Sequence, residues 1–321
     1  MMNSKEINLP LVTVVIPTYN NATYIADAVK SVMEQDYKNL EIIIIDDASA
    51  DNTEHVIAQF KTDSRIKYFR NEHNIGRVAT YHKGLYELAK GEWYLNVDGD
   101  DYLTDQTFIS KAINWIQQFD NVVMVAASCE RLVDGKLDYI VRSKYEHELT
   151  CIDGKNYFLD LPEGKAYFSH LSTLYNRAKA IGLNFYCEDI LSADFESLYR
   201  LILTGNIVSY DKVVGVWRIH GENVSSRNFF SAEDIIRNFK FVENTALFAI
   251  AYLPNEKIKS WRKVYLVKII ESYILQVIMT RPKNSIVIIF RLFKKYPVFF
   301  IQACMKTVLR KGKKSIQSVR K

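Results

Sequence analysis

The sequence predicts an α/β fold, with a mostly parallel sheet flanked by helices and then a C-terminal helical region. Three observations predict it. Apolar runs of strand length alternate with segments of helical periodicity from Val12 to about residue 127. Three of those runs end in polar or acidic clusters, where open α/β sheets place their ligands. From Ser231 onward the pattern is helical, punctuated by Pro254, Pro282 and Pro297. The expected division is a sheet-bearing domain over 1–230 and a helical tail over 231–321.

Each element follows from its residues. Residues 12–16 are a continuous apolar run ended by Pro17, which predicts a strand buried on both faces. Ile25, Ala28, Val29 and Val32 recur at helical spacing within 22–35. Residues 40–45 predict a second buried strand, ending in Asp46 and Asp47. Ser49 or Asp51 can cap a helix over 52–61. A strand over 66–69, a helix over 77–90 and a strand over 92–97 follow, then a helix over 105–119 and a strand over 121–127. Strands that alternate with helices imply parallel pairing with right-handed crossovers. Residues 129–190 carry no single period. A helix is expected from Ser192, with Phe195, Leu198, Tyr199 and Ile202 on one face and Gly205 ending it. Short strands are expected at 207–210 and 213–219.

The strand over 92–97 runs into Asp98, Gly99, Asp100 and Asp101. Three carboxylates this close repel one another unless a cation or a hydrogen-bond network holds them. Hard divalent cations take oxygen ligands and bridge carboxylates to phosphates. The segment therefore points to a nucleoside diphosphate held through Mn2+ or Mg2+ at a strand end. A surface Asp-Gly-Asp turn is the plain alternative. Two other strand ends argue against it, Pro17-Thr18-Tyr19-Asn20 and Asp46-Asp47.

Charge is unevenly spread. Residues 255–321 hold 17 of the 42 Lys/Arg but only Glu256 and Glu271 of the 37 Asp/Glu. A basic, aromatic-rich tail beside an acidic body points to an anionic surface or an acidic partner. The four cysteines have no metal-ligand or redox spacing, which fits reduced thiols in a cytosolic protein. Residues 1–10 lack the apolar core of a signal peptide. No stretch reaches 18 uncharged apolar residues.

Five segments in order carry a family resemblance. They are Pro17-Thr18-Tyr19-Asn20; 45–51 around Asp46-Asp47; 74–101 ending in Asp98-Gly99-Asp100-Asp101; Ala193-Asp194 with Arg200; and 217–225 around Arg218 and His220. Over residues 11–227 the chain resembles the family 2 glycosyltransferases, which have the GT-A, Rossmann-like fold. The resemblance implies an inverting transfer of a sugar from a nucleotide sugar to an acceptor hydroxyl. It implies that Asp100 ligates the metal, with Asp101 and His220 as further candidates, and that Asp98 contacts the ribose or the metal's water shell. Pro17, Thr18, Tyr19 and Asn20 would cradle the nucleotide. Asp47 would accept from the imide N–H of uracil, which favours UDP. Arg77 and Arg218 would supply positive charge to the donor.

The family places its catalytic Asp six residues before an Arg on one helix. Asp194 and Arg200 have that spacing, so Asp194 is the expected general base, and Asp189 in the literal Glu188-Asp189 pair is the alternative. Two departures stand out. Ala193 replaces an acid beside the base, and Tyr81-His82 stands where many members have Arg-Asn. They motivate a second reading, a silent nucleotide-sugar-binding or scaffold protein. A nucleotidyltransferase would show a Gly-rich phosphate loop after the first strand, which Pro17 to Asn21 lacks. The family's frequent lipid-linked acceptors, together with the tail, suggest an acceptor on a lipid-linked oligosaccharide for a bacterial surface polysaccharide. They also suggest a cytoplasmic protein held peripherally on the inner membrane face through 255–321. The other use for the tail is packing or a homo-oligomer contact. No nucleic-acid module is present.

Overall fold

The computed structural model describes residues 9–221, 231–280 and 285–319. Residues 222–225 of the closing segment, and Pro282, lie outside the described residues. Backbone contacts divide the chain into two compact units. One comprises the residues up to Asp189 together with Ser197–His220, and the other Ile190–Glu196 with the residues from Gly221 onward.

The first unit is built on a ten-stranded sheet. Its N-terminal part alternates as expected: β1 (Val12–Thr18), α1 (Ile25–Met33), β2 (Leu40–Asp46), α2 (Thr53–Ala58), β3 (Ile66–Arg70), α3 (Arg77–Lys83) and β4 (Trp93–Asn96). These strands lie in the order β3-β2-β1-β4, all parallel. Every residue of β1, β2 and β4 is buried, which is why they read as unbroken apolar runs. Helix α1 seats Ile25, Ala28, Val29 and Val32 in the core. The chain winds outward from β1 to β2 and β3, then crosses back to place β4 on the other side of β1, so the crevice beyond their carboxyl ends is the place where such sheets bind ligands.

The remaining strands are β5 (Tyr102–Leu103), β6 (Val122–Val133), β7 (Lys136–Val141), β8 (Leu149–Asp153), β9 (Thr173–Asn176) and β10 (Asn206–Ile219). Helices α4 (Phe108–Gln118), α5 (Gly154–Glu163) and α6 (Arg177–Gly182) lie among them. β9 pairs antiparallel with both β4 and β6, while β10 runs parallel to β6. The pair of short strands expected at 207–210 and 213–219 is one strand, β10. Its register shifts around Val213, so a bulge re-aims the strand without ending it.

The helix expected over 77–90 also differs. Helix α3 tightens into the sheet and continues as a π-helical turn, Gly84–Leu88. A Cβ at Gly84 would lie 3.0–3.1 Å from Val15, Ile45 and the Tyr94 hydroxyl, so any side chain there would press on these three neighbours. Such π turns cluster at functional sites.

Helix α7 (Ala193–Ile202) spans the division between the units. Leu198, Tyr199 and Ile202 are buried, whereas Phe195 is exposed, so the expected stripe is one residue shorter. The second unit continues with α8 (Ala232–Asn238), α9 (Lys240–Ala249), α10 (Asn255–Thr280), α11 (Ser285–Lys295) and α12 (Pro297–Val319). Ser231 caps α8 through a reciprocal box with Asp234. Trp261, Leu266 and Ile270 of α10 are buried, and Arg262 forks onto Glu243 of α9 at 2.6 and 2.7 Å. No helix among the described residues is long and apolar enough to cross a membrane.

Candidate active site

Three loops converge at the carboxyl ends of β1, β2 and β4. The first two are stitched together by local hydrogen bonds. Asn20, at a φ of 55°, donates its N–H to Ser49 Oγ and accepts from the Ala50 N–H. The Asn21 and Ala22 N–H groups donate to Thr53 Oγ1 and Asp51. Asp51 also accepts from the Thr53 N–H, closing the first turn of α2.

Asp46 and Asp47 face different partners. Asp46 is fully buried and accepts from the Ser49 N–H, the Tyr68 hydroxyl and Arg70. Its carboxylate holds β2, β3 and the following turn together. One Asp47 oxygen accepts from Asn71 and the Ile75 N–H, and the other from the Gly76 N–H. A carboxylate has about four acceptor positions. Asp47 thus fixes the loop before α3 and retains acceptor capacity for a base. Arg77 opens α3 and lies 5.5 Å from the centre of the Tyr81 ring.

The acidic turn after β4 packs on β1. The Gly99 N–H donates to the Pro17 carbonyl, and a Cβ at Gly99 would lie 2.7 Å from Thr18 Oγ1. Thr18 Oγ1 is itself buried without a hydrogen-bond partner among the described residues. Tyr19 next to it is exposed. Asp98 accepts from the Tyr81 hydroxyl and from Asn96. Asp100 Oδ2 lies 3.2 Å from His220 Nε2 at the end of β10. Burial and the neighbouring Asp98 charge push the Asp100 carboxyl up to about 6. Asp101 points inward and accepts the Arg218 N–H at 2.8 Å. Burial, then the Asp100 and Asp98 charges, holds its carboxyl well above the usual carboxylate range.

Arg218 and His220 are placed by aromatic rings. The Arg218 guanidinium lies 4.3 Å from the centre of the Tyr102 ring and 5.3 Å from that of Tyr24. It also donates to Asp27 and to the Asp100 carbonyl. The His220 ring packs on Tyr24 at 4.5 Å. Tyr24 and Tyr102 belong to no motif, so nothing in the residue pattern marks them. Tyr81 was visible only as a departure from the family pattern.

The structure thus brings Asp98, Asp100 and His220 to one place and turns Asp101 into the protein. Among the described residues no group of three or more His, Cys, Asp or Glu side chains is placed to hold a metal ion. The donor set nonetheless fits an open site for a hard cation, which takes one or two carboxylates and fills its remaining positions with phosphate and water. A cation there would also relieve the repulsion that burdens Asp100. Asp194 lies in the first turn of α7, in the segment grouped with the C-terminal helices, while Arg200 lies in the part grouped with the sheet.

Comparison with known proteins defines the class. The model of glycosyl transferase family 2 matches residues 13–178, and the chain belongs to that family. An uncharacterized glycosyltransferase of Haemophilus influenzae is 28% identical over 68% of this chain and 68% of its own length. The GalNAc(5)-diNAcBac-PP-undecaprenol beta-1,3-glucosyltransferase of Campylobacter jejuni is 37% identical, over 35% of each chain. The matched segments thus span from about a third to about two thirds of these relatives. Among solved structures, S. aureus TarS with UDP-GlcNAc shares the fold at a TM-score of 0.65 and 18% identity, covering 87% of this chain and 83% of that one. The mannosyltransferase PcManGT from Pyrobaculum calidifontis, solved with GDP-Man and Mn2+, gives 0.54 at 18% identity over 94% and 88% of the chains. The fold is therefore GT-A, and the protein is a glycosyltransferase.

Proposed function

We propose that this glycosyltransferase moves a sugar, with inversion, from a UDP-sugar to a hydroxyl of a lipid-linked saccharide in bacterial surface polysaccharide synthesis. The observation that carries the donor side is the meeting of Asp98, Asp100 and His220 beyond β4 and β10. Bound Mn2+ or Mg2+ would neutralise charge on the leaving diphosphate. Asp100 and His220 are the residues to hold it, and Asp101 positions the Arg218 backbone. Pro17, Thr18, Tyr19, Asn20 and Asp47 form the nucleotide side, where the unpartnered Thr18 hydroxyl and the spare capacity of Asp47 suit a ribose and a uracil N–H. Asp98 faces the ribose or the water shell.

The acceptor oxygen attacks the anomeric carbon as the bond to the diphosphate breaks. The diphosphate leaves with the electron pair, and Asp194 takes the acceptor's proton. Asp194 rests on the family resemblance and its spacing to Arg200. The lipid-linked acceptor rests on the family and on the Campylobacter relative, whose name specifies an undecaprenol-linked acceptor. The basic helices of the tail fit a protein held on the cytoplasmic membrane face, where such acceptors lie.

A panel of nucleotide sugars tests the reading by calorimetry and by release of free nucleoside diphosphate, with Mn2+ and with EDTA. Metal-dependent binding of one UDP-sugar with slow hydrolysis is expected. Absence of binding by every donor with metal present would favour a silent scaffold.

A further inference from the structure

We propose that one face shared by α11 and α12 docks on an anionic lipid surface, which deepens the membrane contact proposed above by assigning it to particular side chains. On α11, Ile286, Phe290 and Phe293 are exposed at i, i+4 and i+7, so they share one stripe. On α12, Val298, Ile301, Met305 and Val308 are exposed at i, i+3, i+7 and i+10 and form a second stripe. Phe293 meets Phe300 edge-on at 5.7 Å, so the stripes adjoin where the helices turn. The opposite faces are already used, since Ile288, Leu292, Ala303 and Thr307 are buried. Each helix therefore has one apolar face inside the protein and another facing out. Soluble proteins seldom expose apolar side chains in such continuous rows.

Charge selects the occupant. Residues 285–319 contain no Asp or Glu and eight Lys/Arg. Lys294 and Lys295 are exposed at the end of α11, between the two apolar stripes. Arg291 and Lys306 reach acids only on other helices, Glu233 at 3.9 Å and Glu271 at 3.7 Å. A two-fold dimer would set this face against its own copy. Two acid-free basic faces would then repel. An anionic bilayer instead accepts apolar side chains in its acyl boundary and cations at its headgroups. Among the described residues α10 shows no such outward stripe, so the contact is assigned to the faces of α11 and α12.

The full chain is incubated with phosphatidylglycerol–phosphatidylcholine vesicles and with pure phosphatidylcholine vesicles, and co-sedimentation is measured. The double change Phe290→Ser with Ile301→Ser should abolish binding to both. Lys294→Gln with Lys295→Gln should weaken binding to the anionic vesicles by roughly 10- to 30-fold. All variants should bind UDP as the parent does, so a failed donor assignment would be seen separately in the calorimetry. Unchanged vesicle binding by the Ser variant overturns the proposal. So does a concentration-dependent dimer, seen in sedimentation velocity, that the same substitutions dissolve.

Discussion

The Tyr81 hydroxyl lies 2.9 Å from one oxygen of Asp98 and 3.1 Å from the other. The ring that carries it is fully buried, with His170 edge-on at 5.2 Å and Tyr186 at 5.3 Å. Tyr186 sits at a φ of 58°, a costly conformation for a bulky residue, and its hydroxyl lies within 2.9 Å of both His170 and Tyr175. Asp98 is thus aimed by a rigid aromatic wall.

Replacing Tyr81 by Phe removes that hydrogen bond and keeps the ring. Bonds to charged groups contribute about 1.5–3 kcal/mol. The Tyr81→Phe protein should therefore bind its nucleotide sugar roughly 10- to 100-fold more weakly, with the melting temperature shifted by only a few degrees. Calorimetry and thermal melting on the same sample check both halves. Unchanged affinity would remove Tyr81 from the positioning of Asp98.

Gly99 lets the acidic turn close on β1. A methyl group there meets Thr18 Oγ1 at 2.7 Å, Thr18 Cβ at 2.9 Å and the Pro17 carbonyl at 3.1 Å. All three belong to β1, and the Thr18 Cβ and Pro17 carbonyl cannot yield cheaply, so Gly99→Ala should destabilise the protein by about 1–3 kcal/mol. It should also push Asp98 and Asp100 away from His220 and weaken donor binding. Denaturant unfolding alongside calorimetry measures the two effects. Normal stability with normal binding would mean that the turn relaxes freely.

Much of this site could be read from the residues because β1, β2 and β4 are buried on both faces. Their apolar runs leave the polar strand ends conspicuous. Asp100 and Asp101 could not be told apart by spacing, since only the turn geometry sends one toward His220 and the other toward the Arg218 backbone. β10 read as two strands because Asp211 and Lys212 interrupt its apolar run where its register shifts. β7 was invisible because all but its last residue are exposed, so no buried face marks it. The π turn after α3 spans five residues, too few for its period to differ visibly from a helix.

Asp100 sets a pH dependence on stability in the metal-free protein. Its carboxyl is raised from the ordinary 3.8 to about 6 by burial and by the Asp98 charge. The native state therefore holds this proton more tightly than the unfolded chain. The stabilisation is fully present below about pH 4 and is lost as pH rises through about 6. Asp100→Asn removes the charge, so at pH 8 it should stabilise the metal-free protein by about 3 kcal/mol, and below pH 4 by little. The same variant should lose metal-dependent donor binding. Melting curves of both proteins in EDTA from pH 4 to 8 decide the matter. Parallel curves across that range would show that Asp100 is not strained by its neighbours.

The base assignment rests on spacing, so it needs a test that separates two carboxylates. Asp194 stands six residues before Arg200 in the first turn of α7, while Asp189 precedes the helix. General base catalysis contributes about 10²–10⁴-fold. Asp194→Asn should lower kcat for transfer by that factor and leave the affinity for the donor unchanged, because a base acts on the acceptor's proton and not on the diphosphate. Asp189→Asn should change kcat by less than about threefold if it only borders the helix. Asn is nearly isosteric with Asp, so folding is retained in both, and a melting curve verifies it. The pH–rate profile adds a signature that a structural role would not give. The acidic limb of kcat should vanish in Asp194→Asn and persist in Asp189→Asn. Transfer that survives in Asp194→Asn and fails in Asp189→Asn would move the base to the Glu188-Asp189 pair.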